Sequence, residues 1–109
     1  MRKNRKIVID GYIFYSELEG ERYRILKDKV SEGKIKKLQP YVEFGLIPFS
    51  STEGNYKYVA NFCYLQGGKI VVEDLKGFVT DIFGIKKLLM LKKYGLKVKR
   101  IKKSCVRDF

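Results

Sequence analysis

The fold turns on one stretch: Tyr56-Lys-Tyr-Val-Ala-Asn-Phe-Cys-Tyr-Leu65, then Gln66-Gly-Gly-Lys69, then Ile70-Val-Val-Glu-Asp-Leu-Lys76. In the first segment Tyr56, Tyr58, Ala60, Phe62 and Tyr64 fall on one side of an extended chain, and Lys57, Val59, Asn61, Cys63 and Leu65 on the other. A period of two is the signature of a strand. The Gly-Gly pair supplies the left-handed backbone that a tight hairpin needs. The third segment is a second strand, Lys69 to Lys76, with Ile70, Val72, Asp74 and Lys76 on one face and Val71, Glu73 and Leu75 on the other.

Outward from this hairpin, Tyr41 to Phe49 is rich in aromatic and β-branched residues and predicts a preceding strand. The polar run Ser50 to Asn55 turns it back, so three strands form an antiparallel meander. Further upstream, Ser16-Glu-Leu-Glu19 fits a capping box that opens a helix ending near Gly33. Its apolar stripe is Leu18, Ile25, Leu26 and Val30, with Tyr23 alongside. Glu19, Tyr23, Leu26 and Val30 stand at i, i+4, i+7 and i+11, so Glu19 lies on or beside the buried face. Downstream, Gly77 breaks the strand, and Thr80 or Asp81 caps a second helix that ends at Gly95. That helix carries Ile82, Ile85, Leu88, Leu89 and Leu91 as its apolar residues. Leu96 to Ile101 is a fourth strand, parallel to the third by a right-handed crossover. The order α-β-β-β-α-β predicts an α/β fold with one mixed central sheet. A chain of 109 residues supports a single domain, with a core over about residues 14–101 between a basic N-terminal arm and a basic tail.

Lys and Arg number 24 against 12 Asp and Glu, a net charge of +12, and there is no His. Catalytic triads, Cys-His pairs and His-ligated zinc are therefore excluded. The charge predicts a polyanionic partner, nucleic acid first. Cys63 and Cys105 form neither a zinc motif nor a disulfide framework, which suits a reduced, cytoplasmic setting. The apolar run after the basic N-terminus stops at Asp10, so neither a signal peptide nor a membrane span is expected.

Asp74 and Lys76 share one face of a strand, near Asn61 on the neighbouring strand and Glu19 on the first helix. Phosphodiester hydrolysis without His needs such a set. Carboxylates hold Mg²⁺ or Mn²⁺, and a lysine orients or activates the attacking water. The candidate metal donors are Glu19, Asp74 and the backbone carbonyl of Leu75, with Lys76 assisting the water.

The element order with a D-x-K strand resembles the PD-(D/E)XK nuclease superfamily. Within it, Ser16-Glu-Leu-Glu-Gly-Glu-Arg-Tyr23, Leu38-Gln-Pro40 and Val72-Glu-Asp-Leu-Lys-Gly-Phe78 look like small phage-encoded endonucleases related in design to Holliday-junction resolvases. The resemblance implies a restriction-endonuclease-like fold and a Mg²⁺-dependent endodeoxyribonuclease acting on four-way junctions in DNA recombination. It also implies a homodimer working in the host cytoplasm. The family's catalytic set would fall on Glu19, Asp74 and Lys76. One position departs from the pattern: the preceding strand, where the family carries an aspartate, reads Ala60-Asn61-Phe62. Asn keeps the shape of Asp and loses its charge. An engineered disarmed form, a natural binder that no longer cuts, and an active enzyme with a weaker site all stay open, and the minimal size of the change favours the first.

Each candidate has a plainer role. Glu19 can be a capping residue, Asp74 and Lys76 an ion pair, and Asn61 a satisfied strand amide. The remaining DNA-contact candidates are Gln39 before Pro40, Lys86 and Lys87 on the second helix, and Arg2, Lys3 and Arg5 in the arm. Two alternatives compete with a junction resolvase: a nucleic-acid-binding module without catalysis, and a nickase or restriction-like nuclease on linear duplex. Phe44, Phe49, Tyr56 or Phe62 could form the dimer surface.

Overall fold

The computed structural model describes residues 6–46, 56–75 and 80–109. Arg2, Lys3, Arg5, Phe49 and Lys76, all singled out above, lie outside the described residues.

The chain opens with a hairpin that the sequence pattern did not disclose, β1 (Ile7–Ile9) against β2 (Tyr12–Phe14). Asp10 and Gly11 turn it with φ of 55° and 84°, the left-handed pair that a two-residue hairpin loop requires. Helix α1 (Glu17–Ser31) follows, with Ser16 in extended conformation accepting the Glu19 N–H at 3.2 Å. The long strands are β3 (Lys36–Gly45) and β4 (Lys57–Gln66), and β5 (Lys69–Asp74) completes the meander. Gly67 and Gly68 turn the β4–β5 hairpin with φ of 61° and 79°. Helix α2 (Asp81–Tyr94) is capped by the Thr80 hydroxyl and stopped by Gly95 at φ 69°. Strand β6 (Val98–Arg100) and a short 3-10 turn (Lys103–Cys105) close the chain.

The four-stranded sheet has the order β3-β4-β5-β6. Its first two pairings are antiparallel, and β5 and β6 are parallel, with Val72 opposite Val98. The sequence-based order α-β-β-β-α-β in a mixed sheet is therefore the observed one, preceded by the small hairpin. A core lies on each face. Tyr23 and Leu26 of α1 pack with Phe14, Ile35, Phe62 and Tyr64, while Phe83 and Met90 of α2 pack with Tyr58, Ala60, Cys63, Val72 and Val98.

Three details differ from the periodicity. First, the alternating set of β4 is divided: Tyr58 and Ala60 join the α2-side core, and Phe62 and Tyr64 the α1-side core. The change of face falls at Asn61, across from Tyr41, whose φ of 53° breaks the regular pleat of β3. Second, Ile82, Ile85, Leu88 and Leu91 of α2 are exposed, because Phe83 and Met90 turn the helix by its other side to the sheet. Third, Phe62 is buried and Phe44 and Tyr56 pack against the α2-side core, so these three offer no aromatic dimer surface.

Candidate functional site where α1, β4 and β5 meet

Glu19 sits in the first turn of α1, half-buried as its spacing implied. Its Oε1 accepts the Tyr15 N–H at 3.1 Å and the Tyr41 hydroxyl, and its Oε2 accepts Asn61 Nδ2 at 3.1 Å. The return bond of the capping box thus goes to Tyr15, one residue before the cap. Asn61 completes a relay, because its Oδ1 accepts the Leu75 N–H at 2.7 Å. One amide side chain therefore joins α1 to the end of β5, using a donor on one side and an acceptor on the other. Burial and the Glu19 carboxylate both push the Tyr41 phenol up, so Tyr41 stays a donor across the physiological range.

Asp74 is next to Leu75 but faces the opposite way, as alternation along a strand demands. Its side chain is fully buried and accepts the Tyr58 hydroxyl at 2.5 Å on the α2 side of the sheet. The structure thus brings Glu19, Asn61 and the Leu75 backbone together and directs Asp74 to Tyr58. As arranged, these groups do not fit a divalent cation. The Glu19 oxygens are met by hydrogen-bond donors, Asn61 turns its NH₂ toward Glu19, and the second carboxylate is engaged elsewhere. Among the described residues, no group of three or more His, Cys, Asp or Glu side chains is placed to hold a metal ion.

The other expected contacts are dispersed. Gln39 is exposed on β3, opposite Cys63 of the α2-side core. Lys86 is half-buried, with its Nζ 5.2 Å from the centre of the Tyr56 ring, and Lys87 is half-buried beside it on α2. Arg100, Lys102, Lys103 and Ser104 line an open depression of about 640 Å³ beyond β6.

One pair escaped the sequence reading. Arg22 of α1 and Glu73 of β5 form a fully buried bidentate ion pair, with Nε–Oε1 at 2.8 Å and Nη2–Oε2 at 2.7 Å. Tyr64 donates to Glu73 at 2.5 Å, and Arg22 Nη1 donates to the carbonyl oxygens of Val106, at 3.1 Å, and Asp108. Burial opposes the Arg22 charge, Glu73 outweighs it, and the net shift holds the guanidinium pKa above its ordinary value. Nothing in the local sequence separates Arg22 from the solvated charges Glu21 and Arg24 around it.

A four-stranded mixed sheet with a helix on each face and a polar junction at the end of β5 defines a small α/β domain. The chain belongs to the family described as a protein of unknown function (DUF1064), whose model matches residues 2–107. No curated protein and no solved structure matches the chain.

Proposed function

We propose that the chain is a structure-selective DNA endonuclease of the PD-(D/E)XK type, acting on branched, four-way junction DNA, in a form weakened by Asn61. One observation carries the proposal. Asn61 reaches both Glu19 and the backbone of Leu75, directly before Lys76, which supports reading this junction as the counterpart of that superfamily's metal site. In such an enzyme a divalent metal would neutralise phosphoryl charge and activate water. In this chain an amide joins the groups at this junction. Asn61 meets the charge of Glu19 with a hydrogen bond and positions the end of β5. The net charge of +12 and the basic depression around Arg100, Lys102 and Lys103 suit a phosphate backbone. A homodimer would supply the paired incisions of junction resolution, and the host-cell cytoplasm is the setting of such phage enzymes.

The test is cleavage and binding of a labelled four-way junction and a matched duplex in Mg²⁺ and Mn²⁺, with this chain and Asn61→Asp side by side. Tight junction binding, with cleavage far faster after Asn61→Asp, supports the proposal. Binding without cleavage by either form would leave a DNA-binding module. Preference for the duplex would replace the junction with linear DNA as substrate.

A further inference from the structure

The outer face of α2 carries an exposed apolar stripe closed at its two ends by opposite charges. Asp81, Ile85, Leu88 and Lys92 stand at i, i+4, i+7 and i+11, one line along the helix, and all four are exposed. Ile85 and Leu88 are 52% and 52% exposed, and Ile82 (61%) and Leu91 (49%) widen the patch on either side of the line. A soluble domain seldom leaves so contiguous an apolar face uncovered. The line is also symmetric about its midpoint. In an antiparallel pair, Asp81 of one copy falls opposite Lys92 of the other, and Ile85 opposite Leu88. A two-fold axis repeats both contacts, the self-complementarity of an isologous interface.

Gly84 adds a second observation. It lies inside the helix on this exposed side, and a Cβ there would meet nothing within 4 Å. Among the described residues nothing gives a steric reason for glycine, which is less favourable than alanine inside a helix. A bare backbone beside Leu88 leaves room for a side chain from outside. The ends of the line also suit the helix dipole, with Asp81 at the N-terminus and Lys92 near the C-terminus. The exposed aliphatic residues and Gly84 have no such intrahelical explanation.

We propose that α2 pairs antiparallel with α2 of a second copy through Ile85 and Leu88, closed at each end by Asp81 and Lys92. The inference goes beyond the nuclease proposal and does not rest on it. It stands or falls without any cleavage assay. A contact of one helix per partner is at the small end of specific interfaces, so a dissociation constant on the order of 10 µM is expected.

Equilibrium sedimentation across that range tests it, with circular dichroism checking that each variant is folded. The wild-type chain is expected to dimerise, and Leu88→Glu to be folded and monomeric. Asp81→Lys and Lys92→Asp each turn both end contacts into like-charge pairs, and each alone should weaken the dimer about tenfold. Mixed in equal amounts, these two variants regain opposite charges at both ends and should form a heterodimer near wild-type strength. A wild-type monomer throughout, a Leu88→Glu dimer, or a mixture no tighter than its components would overturn the proposal. So would a monomer whose DNA affinity falls on Leu88→Glu, which would give the face to a nucleic-acid complex.

Discussion

Asn61 is suited to its place because it is two-ended. It donates to Glu19 and accepts from Leu75, and aspartate can only accept. Asn61→Asp sets two carboxylates 3.1 Å apart, where a proton or a cation must separate them. Without divalent metal the variant is expected to lose about 1–3 kcal/mol of stability. Millimolar Mg²⁺ or Mn²⁺ should raise its melting temperature and leave the wild-type value unchanged, which thermal denaturation with and without metal checks. The buried pair is more sensitive. Arg22→Ala strands Glu73 in the core and should cost about 3–5 kcal/mol in a urea titration. Glu19 was legible because two independent patterns, the cap spacing and the helical stripe, converged on it. Arg22 was not, because a cation buried against a distant strand has the same local sequence as one facing water.

The strand β4 shows what a pattern of two conveys and what it misses. Its existence, its hairpin and its pairing with β5 followed from alternation and Gly67-Gly68. The change of face at Asn61 did not, since it depends on the left-handed Tyr41 of another strand. The β1–β2 hairpin was not legible, because three-residue strands are too short to show a period. In α2 the helix was clear and its inner side was not, because apolar residues occupy both sides. The buried tyrosines make the fold sensitive to alkali. Burial pushes the phenols of Tyr58 and Tyr64 up, reinforced by Asp74 and Glu73. Burial and Asp10 push Tyr23 up to about 12. Unfolded tyrosines lose their proton near 10.0, so above that pH the unfolded state binds fewer protons than the folded one. Stability is therefore full below pH 10 and falls as pH rises through the folded values, by about 1.4 kcal/mol per pH unit for each such tyrosine. Denaturant titrations from pH 9 to 12 should show the decline, and Tyr58→Phe should make it shallower.

For the whole molecule, the charge excess sets how the proposed DNA complex should respond to salt. A footprint of about six phosphates lowers affinity about a thousandfold between roughly 50 and 200 mM salt, and a plot of log affinity against log salt gives the number of contacts. Reversing Lys102 and Lys103 to Glu should flatten that plot if the depression beyond β6 holds phosphates. The order of the sheet and the helix pair were legible in the chain, and the dispersal of the basic groups was not, because charge spacing carries no tertiary address. The pair that escaped notice has a consequence for how the molecule comes apart. Glu73 and the carbonyls of Val106 and Asp108 stand 51, 84 and 86 positions along the chain from Arg22. No two of the three segments satisfy the guanidinium without the third, so the contact is complete only when all three are in place. Fraying from one end is thereby penalised. Helix α1, strand β5 and the Val106 segment should open as a single cooperative unit, and their slowest amides should exchange with deuterium at one common free energy.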